Sequence, residues 1–139
     1  MKVTTGTDIV KIERLFPASS PLNLDDPFVK RAFSEGEQKQ GKGREGEQAL
    51  KAYFAARFAG KEAVFKALSV CGCGFAPQDI EVIDGASGRP EVTLSGQTRE
   101  ALDRFLDEYA EFLLSLDVSL SFEDEYAVAM AVAVFEKRS

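Results

Sequence analysis

Apolar residues recur along the chain with two periods, and the switches between them outline its elements. "VTTGTDI", residues 3–9, is rich in β-branched residues and reads as a strand leading into a helix near Val10–Phe16. "FPASSPLNLDDP" sets three prolines among Ser, Asn and Asp and marks a loop. "DPFVKRAFS" predicts a short helix capped by Asp26 with Pro27 at its first position. "SEGEQKQGKGREGEQ" holds four glycines among polar residues and predicts a solvated, mobile stretch, with Ser34 placed to cap a short helix through Glu37. Residues 46–69 predict the longest helix, stopped by the glycines and proline of "CGCGFAP". "DIEVIDGASGRPEVTL" alternates, turns at "DGASGRP" and resumes at Val92 and Leu94, a hairpin. Leu102, Phe105, Leu106, Tyr109 and Leu113 form a helical stripe. "DVSLS" and "YAVAMAVAVF" close the chain as two strands joined by "FEDE". This order predicts an α+β fold, a mostly antiparallel sheet packed against one long helix.

The 139 residues show no repeat and no second linker, which predicts a single domain over residues 1–139. No apolar run approaches the ~20 residues of a membrane helix, and the N-terminus lacks the apolar region of a secretory signal. The Met1 start and complete core read as a free-standing protein, with a domain cut from a larger synthase as the other possibility. Cys71 and Cys73 are the only cysteines and there is no histidine, so no zinc set can be completed. They read as free thiols of a reducing, cytoplasmic compartment. Lack of histidine also excludes Ser-His-Asp and Cys-His catalysis. Acid–base chemistry then falls to Asp, Glu, Lys, Tyr or a metal-bound water, and a carboxylate-held metal favours Mg²⁺ or Mn²⁺. Residues 1–66 carry 12 Lys/Arg against 9 Asp/Glu, and residues 67–139 carry 5 against 14. The acidic total of −6 argues against general nucleic-acid binding. The basic front half suits an acidic partner or is a solvated lysine surface.

"FAARFAGKEAVFKAL", residues 54–68, is where chemistry first shows. At about 100° per residue, Phe54, Phe58 and Phe65 share a face with Lys61. Glu62 and Lys66 fall together on a face of Ala55, Ala59 and Ala63. Such a pair is either a solvated i,i+4 contact worth roughly 0.2–0.5 kcal/mol or a charged site with room for a ligand. Asp8, in "GTD" at a strand end, is either a helix cap or a second carboxylate. If that strand packs beside the helix, Asp8 and Glu62 converge into a site for Mg²⁺, and Lys66 neutralises a phosphate oxygen.

These residues resemble a known family. "GTDIVKIERL", "ARFAGKEAVFKAL", "DIEVIDGASGRP" and "VSLSFEDEYAVAMAV" are similar, in order, to the holo-acyl-carrier-protein synthases of the 4′-phosphopantetheinyl transferase superfamily. The resemblance implies Mg²⁺-dependent transfer of phosphopantetheine from coenzyme A to a serine of an acyl carrier protein, with release of 3′,5′-ADP. Fatty-acid and secondary-metabolic carriers are both compatible with it. It implies Asp8 and Glu62 as Mg²⁺ ligands and Lys66 beside the diphosphate. It also implies Arg57 and Lys61 as basic positions flanking the coenzyme, and a coenzyme-touching turn at Gly88, Arg89 and Pro90. Arg14 matches an arginine that meets the carrier protein, and the implied assembly is a homotrimer with shared active sites. One departure stands out. The family's S-x-S-H is here "SLSF", with Phe122 at the histidine position. Phe122 implies an altered coenzyme pocket in an active enzyme, or a coenzyme-binding homologue that has lost turnover.

Overall fold

A computed structural model describes all 139 residues. Three strands form one antiparallel sheet in the order β1 (Lys2–Lys11), β5 (Tyr126–Lys137), β4 (Glu111–Glu123). A separate antiparallel hairpin pairs β2 (Ile80–Asp84) with β3 (Pro90–Leu94). The long helix α4 (Glu47–Ala67) crosses the sheet, and the shorter helices α1 (Ile12–Leu15), α2 (Pro27–Ala32), α3 (Glu35–Lys42) and α5 (Gly96–Glu108) flank it. The α+β architecture with a mostly antiparallel sheet is as the periodicity predicts.

The close packing of sheet on helix follows from side-chain size. β5 alternates strictly, with Ala127, Ala129, Ala131, Ala133 and Phe135 buried against α4, whose Ala55, Ala59 and Ala63 are also fully buried. Small residues on both surfaces let the backbones approach. The alanines of α4 are therefore filled by the sheet, and the ligand space expected beside them is absent. Phe16, Phe33, Tyr53 and Phe54 build a second, aromatic core, with Phe33 and Phe54 rings 4.9 Å apart at 67°.

Local signals account for most boundaries. Asp26 accepts from the Phe28 amide at 2.8 Å and Pro27 opens α2. Ser34 and Glu37 form a reciprocal capping box on α3. Three expectations are corrected. The first helix is shorter than Val10–Phe16, because β1 keeps its pairing through Lys11, opposite Tyr126. The stripe through Leu113 overruns α5, which ends at Glu108; Ala110 (φ 50°) reverses the chain, and Leu113 joins β4 opposite Phe135. The polar stretch is not merely solvated, since Glu37 of α3 is fully buried.

Candidate active site

Strand periodicity decides which β1 side chains face α4. Thr4, Gly6, Asp8 and Val10 turn inward, whereas Val3, Thr5, Thr7 and Ile9 turn out. Gly6 makes the crossing possible: a Cβ there would lie 1.9 Å from the Ala63 carbonyl oxygen. Thr4 Oγ1 adds a hydrogen bond to the Ala67 carbonyl at 2.6 Å. Asp8, two residues beyond Gly6, is thereby delivered to the flank of α4.

There it meets Lys66, whose Nζ donates to Asp8 Oδ1 at 3.2 Å and to the Thr7 carbonyl at 2.8 Å. The Asp8 side chain is 15% exposed, and its Oδ2 is buried with no hydrogen-bond partner. Glu62, one turn before Lys66, is partly buried. Burial and then the Asp8 carboxylate push its pKa up, while Lys66 pulls it down. The structure thus brings together Asp8, Glu62 and Lys66. An unpartnered buried carboxylate oxygen beside a second carboxyl of raised pKa leaves room for more positive charge than one ammonium supplies. The all-oxygen donors fit Mg²⁺. No cluster of three or more potential ligands exists, so Asp8 and Glu62 are the carboxylates of this chain that would hold such an ion, with water or substrate supplying the rest.

Arg57 lies about 140° around α4 from Glu62, counting 100° per residue. Its buried guanidinium stacks on Tyr53, 4.5 Å from the ring centroid. Its Nη2 sits 2.8 Å from Asp84 Oδ1, within ion-pair range but off the line of a hydrogen bond, so Nη2 and Nε remain unpartnered donors. Arg44 also stacks on Tyr53, at 4.8 Å, and reaches Asp84 Oδ2 at 3.2 Å. Burial pushes the Tyr53 phenol up in pKa against the pull of Arg57. A cavity of about 380 Å³ opens here, lined by Arg44, Arg57, Asp84, Gly88, Pro90 and Phe122. Gly88 adopts φ 83° in the β2–β3 turn, where its amide reaches the Gly85 carbonyl at 2.9 Å, and Arg89 beside it is exposed.

One expected site residue is placed elsewhere. Lys61 has no exposure, and its ammonium donates to Glu37 Oε1 at 2.7 Å, the Pro77 carbonyl at 3.0 Å and the Ile80 carbonyl at 2.5 Å. With all three donors used inside the core, it offers nothing to a coenzyme. Burial lowers its pKa, and Glu37 opposes that. Arg14, at the end of α1, is exposed and free of ion pairs. Sequence reasoning missed Gly6, Arg44, Tyr53 and Asp84. Gly6 carried a signal in "GTD", but the others meet only through the fold.

Residues 4–131 match the 4′-phosphopantetheinyl transferase superfamily. The holo-[acyl-carrier-protein] synthase of Paramagnetospirillum magneticum is 36% identical over 98% of this chain and 97% of its own length. The fatty acid synthase subunit alpha of Schizosaccharomyces pombe is 36% identical over 82% of this chain, which corresponds to 6% of that protein. The crystal structure of Helicobacter pylori holo-[acyl-carrier-protein] synthase in complex with coenzyme A superposes with a TM-score of 0.70 at 30% identity, covering 94% of this chain and 99% of that one. Paired carboxylates at a strand–helix crossing, a guanidinium-lined cavity and kinship over nearly the whole chain converge: the chain belongs to the 4′-phosphopantetheinyl transferase superfamily and is an enzyme of its holo-[acyl-carrier-protein] synthase kind.

Proposed function

We propose that this enzyme transfers 4′-phosphopantetheine from coenzyme A to a serine of an apo acyl carrier protein, with Mg²⁺ held by Asp8 and Glu62. The observation that carries this is the meeting of Asp8, Glu62 and Lys66 at the β1–α4 crossing, with Asp8 Oδ2 buried and unpartnered. When bound, Mg²⁺ supplies neutralisation of the coenzyme diphosphate. Lys66 moves from Asp8 to a phosphate oxygen and holds the diphosphate in line. The serine hydroxyl attacks the phosphorus that bears pantetheine. A new Ser Oγ–P bond forms, the P–O bond to the adenosine half breaks, and 3′,5′-ADP leaves with the bond's electron pair. The serine proton passes through a water to the Glu62 carboxylate. Phosphoryl transfer of this kind asks for positioning and charge, which suits a chain without histidine.

Arg57, Gly88 and Pro90 form the coenzyme-binding edge of the cavity, joined by Arg44, with the exposed Arg89 in the turn beside them. The cavity and the carboxylates lie on different sides of α4, so a full site needs a neighbouring subunit. The outer face of the sheet, with Val3, Ile9, Val128 and Met130 exposed, suits association as a homotrimer. Arg14 offers an unpaired cation to an acidic carrier protein. The free Cys71 and Cys73 fit a reducing cytoplasm, and no helix is long and apolar enough to cross a membrane.

The test is mass spectrometry of apo carrier proteins incubated with coenzyme A, Mg²⁺ and the enzyme. A phosphopantetheine mass gain that is lost on chelation is the expected result, and no gain across a panel of fatty-acid and secondary-metabolic carriers overturns it. Phe122, 57% exposed at the cavity, favours a second reading, a coenzyme-A-binding homologue with reduced turnover. Calorimetric coenzyme binding without transfer selects that reading.

A further inference from the structure

The polar helix α3 has no part in the transfer, yet its side chains turn toward a strand. β2 pairs with β3 along one edge only, and the other edge is capped by side chains. Glu37 Oε2 accepts from the Val82 amide at 2.7 Å. Gln40 Oε1 accepts from the Asp84 amide at 2.9 Å, while its Nε2 donates to the Asp84 carbonyl at 2.9 Å. Lys61 of α4 takes the Ile80 carbonyl. Glu37 and Gln40 are three apart on one helix and face the same way. One helical turn therefore stands in for a missing strand and satisfies edge groups that would otherwise be unpaired. The Glu37–Lys61 ion pair, with neither side chain exposed, anchors one end of this edge. At the other end is Asp84, whose carboxylate spans Arg57 and Arg44 at the cavity.

We propose that Gln40, backed by the Glu37–Lys61 pair, is a positioning residue for coenzyme recognition. By clamping both backbone groups of Asp84 it fixes the carboxylate that aims Arg57 and Arg44. The Arg57 and Arg44 guanidiniums that line the cavity are then held in place for an anionic group of the ligand. Without the clamp, the backbone at the end of β2 is held by its pairing to β3 and the Gly85 amide bond to the Arg89 carbonyl at 2.8 Å, with the Asp84 side chain still facing the two arginines. The two guanidiniums then face a counter-ion whose backbone is no longer fixed. This proposal rests on the reading of that cavity as the coenzyme site.

Gln40→Met keeps the stem and removes both hydrogen bonds, and Gln40→Glu restores only the acceptor for the Asp84 amide. Steady-state transfer is measured for both at saturating carrier with coenzyme A varied, alongside thermal unfolding. The expected result for Gln40→Met is a rise of about tenfold in KM for coenzyme A (roughly 1.4 kcal/mol) with kcat within twofold. Gln40→Glu recovers part of that rise. A variant that merely loses folded protein shows a lower apparent kcat with KM intact, and that pattern overturns the proposal, as does an unchanged KM. If the wild-type chain transfers nothing, the functional reading fails separately. Calorimetric titration with coenzyme A then decides this one: weaker binding by Gln40→Met supports it, and equal binding, or none by wild type, overturns it.

Discussion

Gly6 and Glu62 show how single positions set the chemistry. Gly6 has no side chain because the backbone of α4 occupies that space, with the Ala63 carbonyl oxygen 1.9 Å from where a Cβ would sit. Gly6→Ala therefore forces strand and helix apart. We expect a loss of about 1–3 kcal/mol in chemical denaturation. Transfer should fall on the order of a hundredfold, because Asp8 is displaced by a fraction of a turn from its partners. Glu62 carries a pH signature. Its folded-state pKa is raised, so the folded chain holds the proton more tightly than the unfolded one. Glu62 thus favours the metal-free fold while protonated, and that contribution is lost as pH rises from the ordinary 4.5 through the raised value. Carboxyl NMR of the metal-free protein should place its midpoint above 4.5, and Asp8→Asn should move the midpoint down, since the Asp8 charge is the second cause of the shift. Saturating Mg²⁺ should lower it in the wild type, and an unmoved midpoint would show that the two carboxylates do not share an ion.

Among the elements, α4 gathers three kinds of lysine and arginine whose sequence context looks alike. Lys66 is half exposed and switchable, Arg57 is buried with donors to spare, and Lys61 is wholly enclosed. Lys61→Met strands the Glu37 carboxylate in the core, for which we expect about 3–5 kcal/mol of destabilisation. Lys66→Met should stay within about 1 kcal/mol while abolishing transfer. Urea titrations of the two variants side by side check the contrast. The helix itself, the β2–β3 hairpin and the trio of Asp8, Glu62 and Lys66 were legible in sequence, because alternation and helical spacing are local and because "GTD" and "GKEAVFK" resemble a known pair of motifs. The burial of Lys61 was not. Its partner Glu37 lies 24 residues earlier, and the pairing of Arg44 with Asp84 spans 40. A polar run such as residues 34–49 looks solvated until the fold presents it with an unpaired strand edge. The end of α5 was hidden for another reason: Leu113 continues the helical spacing but equally suits the strand position opposite Phe135.

For the whole molecule, the sheet has one face sealed by α4 and one left open. Val3, Ile9, Val128 and Met130 on the open face are exposed and apolar, beyond what a solitary strand surface needs. Met130→Asp should shift sedimentation from the assembled species to the monomer and lower transfer in parallel, since carboxylates and guanidiniums face different sides of α4. A monomeric variant with full activity would mean that each chain acts alone.

β1 pairs along its whole length with β5, Lys2 opposite Phe135 and Asp8 opposite Ala129. Asp8 is among the first residues synthesised, yet nothing flanks it in the sheet until the last strand has been made. The sheet pairing of β1 therefore waits on nearly the entire chain, and its contacts have the longest loops to close. The same pairing leaves the two chain ends side by side, with the Met1 amino group 3.2 Å from the Glu136 carboxylate. A unit built this way can be spliced into a longer polypeptide at a single point, or rejoined end to end and opened at the Ser87 turn, without disturbing where Asp8 meets the helix.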